Sequence, residues 1–391
     1  MRLATALVCA AAWACSPTVA RADQEPASQA ASEDVDRNAP DFVTASLLVM
    51  GPGDELYSCA GHAALRMECP TFGLDYCFSY ESESVKDKIF TFFMGKLKMG
   101  MFAVPTKEYL KAYANTGRGV TQYQLDLPPE AETRLWKLLD DKVAEGADLP
   151  YDFLQRGCAQ SILTVLHEAV APDSIVPGSW PEKYAMTRRE FINALLEDAY
   201  PWNLFVLNTV CGTAVDWDVP NEERVIVPAD LQAFLRGASI KGQPMLTASG
   251  KELLPGKAPE QPPLVTPMMV ALTLAALAVA GFFLKWRWMV WLFLPFQTLL
   301  GLFVTYLVLV SGLPATSWNW LIVPFNPLPA VFWRWRRKWA LGFSVLLLVW
   351  VASLSLAPHR MTDPAYFVIV AAMATFYLSL WKQSRKQEKQ P

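Results

Sequence analysis

Cys158 and His62 are the residues of this chain best suited to covalent chemistry. Cys158 stands in the stretch YDFLQRGCAQSILTVL, at the first turn of an expected amphipathic helix. Free backbone N–H groups and the helix dipole at such a position favour a thiolate over a thiol. A histidine within hydrogen-bond reach would complete an activated nucleophile. The chain holds His62, His167 and His359. His167 lies on the same expected helix as Cys158, about 13 Å further along its axis, too far to serve the thiol. His359 falls in a short polar loop between the last two apolar runs. If Cys158 is a nucleophile, His62 is left to activate it; the plainer reading of Cys158 is a buried, inert thiol.

An imidazole doing such work needs a third group to orient it. Asp75, on the strand expected after His62, is one candidate, against the plainer reading of a turn or surface aspartate. Tyr151, a little before Cys158, is a candidate donor to an oxyanion, against a core tyrosine with a satisfied hydroxyl. Five cysteines follow the N-terminal region: Cys59, Cys69, Cys77, Cys158 and Cys211. Five is odd, so at least one thiol is left over unless it pairs between chains. Cys69 and Cys77 flank an expected hairpin turn and are one pairing the spacing allows. Cys59 with Cys211 is another, and spacing leaves the choice open.

The elements that must position these residues are legible in outline. Residues 42–50 (FVTASLLVM) read as a strand, residues 59–67 (CAGHAALRM) as a second carrying His62, and residues 74–80 (LDYCFSY) as a third. Residues 122–127 read as a further short strand. Helical spacing of apolar residues marks 129–145, which opens on a proline, and 157–170. Residues 187–198 open on Thr187 with Glu190 three positions on, the pattern of a capping box. The stretch 90–102 (FTFFMGKLKMGMF) is apolar with interleaved lysines; it reads as a buried segment or as a lip that dips into a lipid surface.

The two ends differ in composition. Arg2, an apolar run over 3–14 and Ala20-Arg21-Ala22 read as a signal peptide covering 1–22. The rival is a lipoprotein signal that keeps Cys15; bulky Trp13 and Ala12 disfavour it. Residues 23–40 are acidic and Ala/Ser/Pro-rich, a flexible leader. The domain is then expected over 41–240, a Pro/Gly/Lys-rich linker over 241–265, and a membrane region over 266–391. Apolar runs at 267–284, 288–312, 318–333, 339–357 and 365–381 predict five crossings, the third weakened by Pro324, Pro327 and Pro329. With the large domain outside, five crossings put the basic clusters at 285–287, 334–338 and 382–389 inside, and four do not. A re-entrant third segment is the alternative. Asn319 and Asn326 within it are candidates to line a lipid site. The net charge of −3 argues against a nucleic-acid partner.

The motifs PGDELYSCAGHAALRM, GLDYCFSY and YDFLQRGCAQS resemble the exported domain of Lnb-type lipoprotein N-acyltransferases. The resemblance continues through MTRREF, VCGTAVDWD and WNWLIVPFNPLP. It implies an α+β papain-like domain of the circularly permuted NlpC type, fused to an all-α transmembrane helix bundle. It further implies Cys158 as nucleophile and His62 as base, a phospholipid acyl donor, a lipoprotein acceptor and no metal or cofactor. Location would be the inner membrane, with a large periplasmic N-terminal domain. The family usually has Asn before the cysteine, where this chain has Gly157. The alternatives are a cell-wall peptide hydrolase of the NlpC type and a non-catalytic envelope binding or assembly module.

Overall fold

The computed structural model describes residues 42–53, 58–84, 87–146, 149–152, 157–179, 187–257, 263–356 and 362–388. The expected signal peptide, the leader and His359 lie outside these residues. The described chain divides into two units. One holds the sheet and runs to Tyr184, with Val219–Glu260 added; the other is Ala185–Asp218 together with Gln261–Pro391. A single cut near residue 240 was expected, and the 185–218 stretch falls instead with the C-terminal part.

In the first unit the strands are β1 (Thr44–Met50), β2 (His62–Cys69), β3 (Leu74–Ser82), β4 (Lys98–Pro105), β5 (Val120–Gln124) and β6 (Leu149–Pro150). Three two-residue strands, β7 (Ile175–Val176), β8 (Ser239–Ile240) and β9 (Gln243–Pro244), form a small sheet of their own, and β10 is Lys251–Leu254. The main sheet is antiparallel throughout, in the order β10-β5-β1-β2-β3-β4-β6. The expected linker therefore contributes an edge strand, β10, paired to β5.

Among the described residues, five helices complete this unit: α1 (Ile89–Phe93), α2 (Thr106–Thr116), α3 (Pro129–Glu145), α4 (Cys158–Val170) and, later in the chain, Pro228–Gly237. Helix α3 opens on Pro129 with Glu130 and Glu132 in its first turn, which suits both the orphan N–H groups and the dipole. Its Leu135 and Leu139 meet Ile162 and Leu166 of α4 and the sheet residues Leu47, Leu65, Met67 and Phe78 in the main core. Each such leucine contributes roughly 1.5–3 kcal/mol through burial. The opposite sheet face carries a smaller core of Leu48, Met50, Ala64, Cys77 and Val120 under Tyr109 of α2. Both faces are covered, so the first strands read as nearly continuous apolar runs rather than clean alternation.

The second unit begins with α5 (Arg188–Leu196) and α6 (Pro201–Val210), which precede α7, the Pro228–Gly237 helix of the first unit. The capping box at α5 is present, Thr187 accepting from Glu190 N–H and Glu190 accepting in return. Buried Arg189 ties the turn after α6 together through Asp216, Asn208 and the Gly212 carbonyl at 2.6, 2.7 and 2.8 Å. Then come α8 (Pro267–Leu284), α9 (Val290–Leu309), the single-turn α10 (Leu328–Val331), α11 (Arg336–Ser355) and α12 (Pro364–Glu388). Among the described residues four stretches, Pro267–Leu284, Arg287–Leu309, Lys338–Ser355 and Pro364–Ser384, are long and apolar enough to cross a membrane.

The expected fifth helix over 318–333 does not form. Prolines at 324, 327 and 329 break it into short turns. Its path is nonetheless informative. Thr316 donates to the Leu307 carbonyl at the end of α9, and the Trp350 indole donates to the Trp320 carbonyl. Further on, the Gln297 amide donates to the Pro324 carbonyl at 3.0 Å, and the Trp339 indole to the Phe332 carbonyl at 2.9 Å. Gly301 permits this passage, since a Cβ there would sit 2.8 Å from the Asn326 backbone. Helices α8 and α12 are parallel, with Lys382 4.4 Å from the Phe282 ring. Helix α11 runs against α12, Trp339 facing Tyr377 and Trp350 facing Phe367. The broken segment thus runs the length of the bundle, and Lys285, Arg334 and Lys382 share one end of it.

Candidate active site

His62 is the first residue of β2, and the turn before it is tight. Gly61 holds φ +82°, and a Cβ there would lie 2.7 Å from the Met50 carbonyl, so only glycine fits. The turn sets His62 opposite Met50 in the β1–β2 ladder. The imidazole lies on the sheet face beneath α2, 16% exposed. On the same face of β3 stand Ser79 and Glu81. His62 Nε2 is 2.7 Å from Ser79 Oγ and 3.3 Å from Glu81 Oε1, and Ser79 Oγ is 2.8 Å from the same carboxylate oxygen.

With Glu81 ionised, counting donors sets the direction of each hydrogen bond in this cluster. An ionised Glu81 only accepts, so the single Ser79 hydrogen goes to it. Ser79 also accepts from the Tyr109 hydroxyl at 3.3 Å. The 2.7 Å contact with His62 must then be an Nε2–H donation to Ser79. Nδ1 is left for Cys158, whose side chain hydrogen-bonds the imidazole.

Cys158 is the first residue of α4, directly after the extended cap residue Gly157. Gly157 has φ −76°, ordinary for any residue, and among the described residues a Cβ there would meet only the Ile226 carbonyl at 3.7 Å. Burial pushes the Cys158 thiol up, but the His62 charge, the His62 hydrogen bond and the Ala63 N–H more than reverse this, and it is held below the usual thiol range. For His62 burial works against the charged form, and the electrostatic influence of Tyr113, Cys158 and Glu81, with the Cys158 hydrogen bond, outweighs it, raising the imidazole well above its usual value. Burial likewise opposes ionised Glu81, and His62, Ser79 and Arg118 together keep it below the ordinary carboxylate range. All three directions favour the charge-separated form of the array, with thiolate, imidazolium and carboxylate stabilising one another.

Asp75 does not belong to it. It shares the face of β3 with Glu81 but lies about 20 Å away along the strand. Arg66 donates to both its oxygens at 2.9 and 2.8 Å, and Thr106 to one of them at 2.5 Å. The orienting carboxylate is Glu81, which sequence reasoning missed together with Ser79. The signal for both was the alternation of β3, which puts 75, 77, 79 and 81 on one face. Tyr151 packs against the same core as Cys158, and burial first, then the Cys158 charge, pushes its phenol up, so it stays a neutral donor.

The five described cysteines are free thiols. Cys69 belongs to the core on one sheet face and Cys77 to the core on the other, which bars the Cys69–Cys77 pairing that spacing alone left open. Asn319 and Asn326 are spent on backbone. Asn319 donates to the Thr209 carbonyl at 2.7 Å and accepts from Leu321 N–H at 3.0 Å. Asn326 donates to the Val323 carbonyl and accepts from Leu328 N–H. Both amides thus hold the backbone of the broken segment in which they were expected to line a lipid site.

Among the described residues no group of three or more His, Cys, Asp or Glu side chains is placed to hold a metal ion. Comparison with curated proteins and with solved structures finds no match. Residues 32–184, which carry His62, Ser79, Glu81 and Cys158, match the model of the Lnb N-terminal periplasmic domain.

Proposed function

We propose that this protein is a thiol acyltransferase that moves an acyl chain from a phospholipid, through a thioester on Cys158, to the terminal amine of a lipoprotein. The observation that carries the reading is the hydrogen-bonded series Cys158, His62, Ser79 and Glu81, with the thiol at a helix start. The histidine strand precedes the cysteine helix in the chain, which agrees with a permuted papain-like arrangement. Cys158 thiolate adds to the ester carbonyl, and the developing oxyanion takes the Cys158 backbone N–H, one of the first-turn N–H groups that have no partner within the helix. The C–O bond breaks as His62 Nδ1 gives its proton to the departing glycerol oxygen. The acceptor amine then attacks the thioester. His62 takes its proton, the amide forms and Cys158 leaves as thiolate, restoring the starting pair.

The apolar helices and the shared basic end support a multi-pass protein of the inner membrane with that end in the cytoplasm. The test is covalent. Full-length protein given phospholipid and no acceptor should accumulate acyl groups on Cys158, removable by neutral hydroxylamine, and Cys158→Ala should lose both this adduct and lipoprotein N-acylation in cells. Lipoprotein N-termini still acylated in the Cys158→Ala strain, with no second enzyme present, would refute the mechanism. Altered cell-wall peptides with unchanged lipoproteins would favour the hydrolase instead.

A further inference from the structure

Helix α1 faces two ways. Phe92 and Phe93 are buried, and the Phe92 ring lies 6.3 Å from the ring of Tyr151, which packs on the same core as Cys158. On its outer side Phe90 is 76% exposed, and Met94, one turn on, is exposed as well. Leu149, on the edge strand β6 just before Tyr151, is a third exposed large apolar side chain, set beside Met99 in the β4–β6 ladder. Single exposed apolar residues need no explanation, but a protruding aromatic with a methionine beside it marks an interaction surface.

Charge identifies the partner. Across residues 83–98 the chain has Lys86, Lys88, Lys96 and Lys98 against Glu83 and Asp87, a local balance of +2 in a chain whose net charge is −3. Lys96 and Lys98 are exposed around the helix, as is Lys88, which pairs with Glu83 at 2.6 Å. An apolar tip ringed by long cationic side chains suits a phospholipid surface, the rings among acyl chains and the lysines at the phosphates. A protein partner would more often bring a complementary pocket for Phe90, and a soluble substrate would not need the tip at all.

We propose that α1 is a lip that seats Phe90 and Met94 in the bilayer surface, so that the acyl donor reaches Cys158 from the membrane, past Tyr151, rather than from water. This deepens the acyltransferase reading and rests on it for the identity of the donor. The depth of the lip is read first. Full-length protein with Cys158→Ser and Phe90→Cys, labelled with bimane and placed in phosphatidylethanolamine–phosphatidylglycerol vesicles, should be quenched by lipids doxyl-labelled near the carbonyl and shielded from aqueous iodide. Iodide quenching without doxyl quenching would overturn the lip.

The second measurement uses the native thiol. Phe90→Glu with Met94→Glu should slow Cys158 acylation from vesicle phospholipid about tenfold or more, while acylation by a water-soluble short-chain aryl ester keeps its rate. Equal slowing with both donors would mean a damaged fold and overturn the delivery role. If the unsubstituted protein is acylated by neither donor, the acyltransferase reading fails, and the quenching result still decides the lip.

Discussion

Glu81→Gln removes a charge and keeps the shape, so it isolates what the carboxylate does to His62. Two unit charges at the observed 3.3 Å interact by about 5 kcal/mol at an effective dielectric near 20 and by about 1 kcal/mol in water. Glu81 is 33% exposed and His62 16%, so solvent screening leaves an effect of about 1.5–3 kcal/mol. That corresponds to a fall of about 1–2 units in the imidazolium pKa. The raised pKa of His62 sets the alkaline limit of the thiolate–imidazolium pair. The rate of Cys158 acylation by a soluble aryl ester, followed from pH 5 to pH 10, should therefore lose its alkaline limb about 1–2 pH units earlier in Glu81→Gln. The acid limb should not rise, because Glu81 itself pushes the Cys158 thiol up. Asp75→Asn is the control and should leave the profile in place, since Arg66 and Thr106 hold that carboxylate elsewhere. An unmoved alkaline limb in Glu81→Gln, or the same shift in Asp75→Asn, would refute the assignment of Glu81.

Cys158 should be the mature cysteine alkylated first by iodoacetamide near neutral pH, because burial pushes Cys59 and Cys77 up to about 12 and Cys211 to about 11. Peptide mapping that finds Cys158 in a disulfide would remove it as nucleophile. Glu132 is buried against the Ala45 N–H, and burial raises it from 4.5 to about 7. Native protein keeps this proton when the unfolded chain has lost it, so stability should fall as pH rises from about 4.5 to 7, by about 2–3 kcal/mol. Glu132→Gln should flatten that slope in thermal melts of the full chain in detergent; identical slopes would exclude the assignment. A reporter fused after Pro391 should read cytoplasmic, and an active periplasm-only phosphatase there would contradict the shared basic end.

Local signals in the sequence carried much of this fold. Helix α3 occupies the span its opening proline and leucine spacing predict, and Thr187 with Glu190 marks α5 through a pair of hydrogen bonds that are local by nature. Cys158 at the start of α4 was legible for the same reason. Long-range pairing was not. Alternation along β3 placed Asp75 and Glu81 on one face but could not say which end meets His62, because that depends on the register with β2. The four residues of β10 look like linker until β5 is beside them. The FTFFMGKLKMGMF stretch holds a helical turn and a strand in quick succession, so neither period could establish itself. Parity decides against a Cys69–Cys77 bridge, which spacing had left open, since one residue faces each core.

The broken passage beside α9 also bears on how the chain is made. A helix can enter lipid alone, because its backbone groups satisfy one another. The stretch around Pro324 cannot, since its carbonyls depend on donors from elsewhere in the chain: the Gln297 amide for Pro324, the Trp350 indole for Trp320 and the Trp339 indole for Phe332. Two of those three donors lie in α11, which is synthesised after the segment it must serve. On the proposed membrane placement, the stretch should enter the bilayer only once α11 has emerged, so that biogenesis of this bundle would be a late, concerted event rather than a helix-by-helix one.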